Sequence, residues 1–170
     1  VAAFSDDAAG QDTAMLNINA DGILKTCQAY LELMQDDIGD FPLKIINLSS
    51  VGGGLGVFPG FRLSDGMSKA AVAHLTRQMA AELTDRMIDV FAVCPGATNT
   101  RMFQSSTLDP MSPGQRDDFV RALPKHRLSE PAEIANIIVF LASTYSTPLH
   151  GAVLDASMGL GVHPGLITGK

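Results

Sequence analysis

Across residues 12–35 the apolar positions Leu16, Ile23, Cys27, Leu31 and Met34 recur at three-, four- and seven-residue steps. That spacing lays side chains along one face of an α-helix, and it predicts a helix over residues 12–35. Gly22 interrupts the pattern. A glycine inside a helix costs about 1 kcal/mol relative to alanine, so a close approach is expected there. Lys44-Ile45-Ile46-Asn47-Leu48 is a short β-branched run ending in Ser49-Ser50, which predicts a buried strand. A glycine-rich loop follows over residues 51–60, with Gly52, Gly53, Gly54 and Gly56 ahead of Val57.

Ser64 or Asp65 is placed to cap a second long helix. Along it Ala71, Leu75, Met79 and Leu83 form an i, i+4 stripe, while His74, Arg77, Gln78 and Glu82 lie elsewhere on the surface. Ala70, Ala71, Ala73, Ala80 and Ala81 would let another helix come close. Residues 88–94 predict another buried strand, stopped by Pro95-Gly96. Residues 112–123 predict a helix with a polar face. Ser129-Glu130-Pro131 predicts the start of a helix running to Ser143, with Ser129 as N-cap, an acid in the first turn and a tolerated proline. Residues 152–154 form a last short strand. Strands separated by helices imply an α/β fold with a parallel sheet covered on both faces. Such a sheet takes its ligand beyond the carboxyl ends of the strands, which directs attention to Ser50 and Cys94.

The chain has 170 residues, one domain's worth, with 46% hydrophobic and 18% charged residues. This excludes intrinsic disorder and suggests apolar surface meant for a partner. A net charge of -6 argues against nucleic-acid binding, which needs a basic face. No run of eighteen apolar residues is present to span a membrane. The first twelve residues lack a basic stretch leading into an apolar one, so no secretory signal is expected, and a first residue of Val fits removal of an initiator Met. Cys27 and Cys94 sit in apolar segments and read as buried thiols rather than a disulfide or metal site. A reducing cytoplasm is the expected compartment. The four histidines lack metal-ligand spacing, and His74 and His126 read as solvated.

Four segments, in order, resemble the short-chain dehydrogenase/reductase family. Asn19-Ala20-Asp21-Gly22 resembles the N-x-x-G of its dimerising helix, whose Asn holds a water for a proton relay. Asn47-Leu48-Ser49-Ser50 resembles the strand that ends in the catalytic serine, here Ser50. Met67-Ser68-Lys69-Ala70-Ala71 resembles the tail of the Y-x-x-x-K motif. Cys94-Pro95-Gly96, continuing through Thr98 and Thr100 to Met102, resembles the P-G-x-x-x-T loop that grips the nicotinamide carboxamide. Residues 127–141 and 151–155 resemble the family's R-x-x-x-P-x-E-I-A helix and closing strand.

The resemblance implies a single, partial Rossmann-like domain over residues 1–170. It implies NAD or NADP as cofactor, with Lys69, Pro95, Gly96, Thr98, Thr100 and Met102 on the nicotinamide side. Asn19, Ser50, Asp65 and Lys69 would occupy the catalytic positions. The substrate would be a small or medium carbonyl or alcohol, beneath a lid over residues 104–123. Helices 12–35 and 65–86 would join a homo- or hetero-oligomer.

Two departures stand against the match. The strand–G-x-x-x-G-x-G–helix that holds the pyrophosphate in the family is missing upstream, and Gly52, Gly53, Gly54 and Gly56 read instead as a flexible substrate-side loop. NAD(P) binding by this chain alone is therefore expected to be poor. The position four residues before Lys69 is Asp65 rather than Tyr, and the Ser50-to-Asp65 spacing is two residues longer than the family's usual one. Tyr30 and Tyr145 belong to other segments and do not substitute.

Hydride delivery to a carbonyl leaves an alkoxide that needs a proton. A tyrosine starts near pKa 10 and an aspartate near 3.9, a gap of about 8 kcal/mol in proton affinity. A neighbouring ammonium should depress Asp65 further, working against the rise that burial could bring. The expectation is an impaired chain serving as a dimerising or non-catalytic subunit. The alternative is an NAD(P)-dependent oxidoreductase whose nucleotide half lies upstream or on a partner chain, and a weaker third reading is a module that binds a nicotinamide-like ligand over residues 95–102. Plainer roles also stand: Asp65 as a helix cap or ion-pair partner of Lys69, Lys69 as a helix-face lysine, Asn19 bonded within its helix, Ser50 as a turn residue, Thr100 as a cap.

Overall fold

Helix α1 opens the fold in the computed structural model, which describes residues 10–34 and 41–162. It runs as an α-helical segment Gln11–Leu16, a π-helical insert Asn17–Asp21 and an α-helical segment Gly22–Leu33. The end expected at Gln35 lies outside the described residues. The insert explains Gly22: a Cβ there would stand 3.3 Å from Asn17 O, a carbonyl drawn close by the wider turn.

Three strands follow, β1 Leu43–Leu48, β2 Ile88–Pro95 and β3 Val153–Ala156. They pair in parallel in the order β1-β2-β3, with β1 and β3 outermost among the described residues. Leu48 lies opposite Val93, and Cys94 opposite Asp155, so the three carboxyl ends share one edge. β2 is buried from Ile88 to Cys94, and its alternating side chains divide the core. Ile88 and Val90 join Cys27, Ile45, Met79, Ala80 and Leu83 beneath α1 and the second helix. Phe91 and Val93 join Ile134, Leu141 and Ala156 on the other face. The expected α/β sheet with helices on both faces is present.

Helix α2, Leu63–Glu82, starts earlier than expected and is capped by Arg62 with no side-chain hydrogen bond. Ser64 and Asp65 are therefore first-turn residues, not caps. The reason is tertiary: the Ser64 hydroxyl donates to Asp12 of α1, and Arg62 pairs with the same carboxylate at 2.6 Å. The buried side of α2 also differs from the expected stripe. It consists of Ser64, Ser68, Val72, Ala73, Thr76, Met79 and Ala80, while Ala71 is exposed. Ser68 and Thr76 can be buried because Asn19 and Asn47 donate to them, at 3.2 and 3.0 Å.

Beyond β2, a short turn Arg101–Phe103 and a π-helical stretch Gln104–Leu108 lead to helix α3, Pro113–Ala122. Ser112 caps α3 through a reciprocal capping box with Gln115. Helix α4, Pro131–Leu141, takes its cap from Glu130, not Ser129. Ser129 is instead held against the loop after β2, its N–H donating to Ala97 O and its carbonyl accepting from Asn99 N. No helix among the described residues is long and apolar enough to cross a membrane.

Candidate active site at the carboxyl edge of the sheet

β1 and α2 bring Ser50, Asp65 and Lys69, three of the expected catalytic positions, to the carboxyl edge. Ser49 and Ser50 are the first residues past β1. The Ser50 hydroxyl accepts a hydrogen bond from Gly52 N at 3.2 Å and caps the turn Val51–Gly54. The turn reading of Ser50 is thus correct as far as it goes, and its O–H remains available to donate. The glycine-rich stretch is packed rather than loose: Gly53 has φ +105°, and a Cβ on it would run into Gly66 O of α2. The glycines allow the turn to press against the first turns of the helix that carries Asp65 and Lys69.

Lys69 is half-buried and its Nζ donates to Leu48 O at 3.3 Å. Desolvation holds its ammonium below the ordinary lysine range, against the opposing pull of Asp65 and Cys94. At Asp65, likewise half-buried, burial raises the carboxyl pKa and outweighs the lowering by Lys69. Lys69 depresses Asp65 as expected, but the net shift is upward. The charge attraction has the expected sign, but removal from water is the larger effect. Asp65 and Lys69 are not an ion pair within 4 Å among the described residues, since the ammonium is directed at Leu48 O.

Asn19 lies in the π-helical insert of α1 and donates through Nδ2 to Ser68 Oγ, whose hydroxyl donates in turn to Asp65 O at 2.8 Å. It therefore bonds out of its helix, toward the turn bearing Asp65. Insertion of one residue into a helical turn re-aims a side chain, and the hydrophobic spacing carries no trace of it.

The loop after β2 supplies the remaining positions. Pro95 ends the strand, and Gly96 lies so close to β3 that a Cβ would sit 2.9 Å from Ser157 Cβ. Thr98 Oγ1 donates to Gly96 O at 3.1 Å. Thr100 Oγ1 accepts from Phe103 N at 3.2 Å, so the cap reading of Thr100 is correct. Met102 is 75% exposed. The segment read as a lid is two helical pieces joined by a turn at residues 109–112, anchored by buried Leu108 and Leu123 and by Phe103 against Phe119.

Tyr30 packs beside the cluster under α1 and α2, and Tyr145 is 84% exposed. Cys27 and Cys94 are free and buried, and burial pushes both thiols up. Among the described residues no group of three or more His, Cys, Asp or Glu side chains is arranged to hold a metal ion.

Sequence reasoning missed Ser49 and Ser68, which lie beside assigned residues but carry the hydrogen bonds between elements. It also missed a polar cluster at the amino edge. There Lys44 Nζ pairs with Asp89 Oδ2 at 2.5 Å, Thr147 donates to the same carboxylate at 2.8 Å, and His150 Nδ1 accepts from Val90 N. The available signal was a lone aspartate in the otherwise apolar run 88–94.

A family model described as enoyl-(acyl carrier protein) reductase matches residues 3–161. An uncharacterized short-chain type dehydrogenase/reductase of Sinorhizobium fredii is 34% identical over 146 residues, covering 86% of this chain and 55% of that protein. A 3-oxoacyl-(acyl-carrier-protein) reductase of Thermotoga maritima is 33% identical over 147 residues, 86% of this chain and 56% of its own length. Among solved structures, a 3-oxoacyl-(acyl-carrier protein) reductase with bound NAD from Brucella melitensis superposes with a TM-score of 0.75 at 28% identity, covering 92% of this chain and 54% of that one. The Pseudomonas aeruginosa RhlG/NADP active-site complex gives 0.80 at 26% identity, covering 94% and 60%. The chain spans about half the length of the curated relatives it matches.

Proposed function

This chain belongs to the short-chain dehydrogenase/reductase family, and we propose that it carries the catalytic side of an NAD(P)-dependent oxidoreductase acting on a carbonyl or alcohol. In this reading the adenosine and pyrophosphate are held by residues outside this chain, upstream or on a partner. The observation that carries it is the placement of Ser50, Asp65 and Lys69 around the carboxyl end of β1, beside the loop after β2. A parallel sheet holds its ligand at that edge.

The donor set fits the nicotinamide–ribose end of such a cofactor. Lys69 offers an ammonium, Thr98 and Thr100 offer hydroxyls with unused capacity, and Pro95, Gly96 and Met102 shape the loop. The bound dinucleotide would supply or accept the hydride. The Ser50 hydroxyl would donate to the substrate oxygen. Asp65, held above the ordinary aspartate range by burial, retains its proton to higher pH than an exposed aspartate and would deliver it to that oxygen as the alkoxide forms. Lys69 stabilises the resulting carboxylate, and Asn19 steadies the Asp65 turn through Ser68.

The test is NAD(P)H oxidation with a panel of ketones by the polypeptide together with its native upstream or partner residues. Turnover that falls at least about 100-fold in Asp65→Asn and Lys69→Ala supports the reading. No turnover with any ketone or cofactor overturns it.

A second reading, a non-catalytic dimerising subunit, draws support from Asp65 itself, which stands where the family motif has tyrosine. It is also favoured by Ile18, Leu33, Leu63 and Met67, which are 70%, 77%, 46% and 61% exposed on α1 and α2. That reading expects a stable dimer and no turnover even after Asp65→Tyr.

A further inference from the structure

We infer that Ser49, rather than only its neighbour Ser50, is a positioning residue of this site: its hydroxyl sets the height of α2 against β1 and thereby places the Lys69 ammonium. The inference rests on the oxidoreductase reading for its purpose, but its geometry stands apart from it. Ser49 is 5% exposed, and its N–H donates to Val93 O at 2.9 Å, carrying the β1–β2 pairing one residue past the strand. Its hydroxyl then donates to the backbone carbonyl of Lys69 at 2.7 Å. The same lysine reaches back, Nζ to Leu48 O at 3.3 Å. Two bonds of opposite direction thus join consecutive residues of the strand end to one residue of the helix.

The slot around this hydroxyl has no slack. A Cβ on Gly54 would stand 2.6 Å from Ser49 Oγ and 2.8 Å from Cys94 Sγ, so the glycine turn closes one side and the Cys94 thiol another. Ser50 is differently engaged, with its oxygen on Gly52 N. The two serines divide the work. Ser49 holds the helix, and Ser50 caps the glycine turn.

Removing the Ser49 hydroxyl leaves the Lys69 carbonyl without its second partner and lets α2 shift against β1. The ammonium then leaves its half-buried position for water. The titratable groups that face it are Asp65 on its own helix, which the variant leaves intact, and the Cys94 thiol on β2, which loses its hydrogen bond with Ser49 in the variant. The test is a titration of the Lys69 Nζ resonance by nitrogen-15 NMR on the chain as it stands, with no cofactor. Ser49→Ala should move the midpoint up toward the ordinary lysine value near 10.4, and Ser50→Ala should leave it in place. An unchanged midpoint in folded Ser49→Ala, or an equal shift in both variants, overturns the inference. A measurement on the unmutated chain guards against a variant that does not fold. The Ser49 hydroxyl proton should exchange slowly enough to be observed in water, and a freely exchanging one overturns the inference as well. Neither readout needs turnover, so failure here and failure of the oxidoreductase reading are separable.

Discussion

A carboxyl and an ammonium one helical turn apart normally drive each other's proton equilibria in opposite directions, the acid down and the base up. At Asp65 and Lys69 burial reverses both shifts. A general acid works only while protonated, so the proposed turnover should fall as pH rises through the raised Asp65 pKa, and the midpoint should lie above that of an exposed aspartate. A pH profile of kcat measures this. Asp65→Tyr should extend activity to higher pH, because the phenol starts near 10. A rate flat across the range between those values would remove Asp65 from the proton-donor role. The sequence points to Asp65 and Lys69 through the four-residue spacing of the motif whose tail residues 67–71 resemble. The direction of their shifts could not be read there, since desolvation depends on the glycine turn and strands that close around them.

The elements show the same division. Their types and order follow from hydrophobic period, whereas two of the helix starts were misplaced. Ser64 and Ser129 are good caps by composition, but in the fold their polar groups are taken by Asp12 and by the loop after β2. The start of α4 depends instead on Glu130 and Glu133, with Arg127 in two 2.7 Å bonds to the Glu133 carboxylate. Glu133 is held down to about 2 by that guanidinium and by Glu130 N–H. A depressed acid contributes its stabilisation above its ordinary pKa and loses it as pH falls toward the folded value. Melting midpoints should therefore separate wild type from Glu133→Gln at pH 7, and the gap should close between pH 4 and 2. The glycine turn makes a firmer demand. At Gly53 a side chain would meet both a positive φ and the backbone of Gly66, so Gly53→Ala should cost about 1–3 kcal/mol, measurable by urea unfolding. Gly56→Ala, whose Cβ would make only ordinary contacts beyond 3.7 Å, should cost much less.

For the molecule as a whole, the two edges of the sheet are specialised. The carboxyl edge carries the proposed site residues, and the amino edge is locked by Lys44 and Asp89, whose side chains are 9% and 8% exposed. Breaking a buried pair by removing one partner strands the other charge, typically at about 3–5 kcal/mol. Asp89→Ala should lose that much in chemical denaturation, while Lys44→Met with Asp89→Leu should recover most of it. This lock escaped the sequence reading because its members are scattered over four segments that only the fold assembles. The outer position of β1 has a consequence of its own. Among the described residues its ladder is satisfied on the β2 side alone, and beyond the Leu48 carbonyl that takes the Lys69 ammonium the opposite rim is a template onto which another extended segment can be recruited. Purified by itself, this chain should grow into larger particles as it is concentrated, with light scattering rising faster than protein mass, and a segment that caps the rim should keep it dispersed.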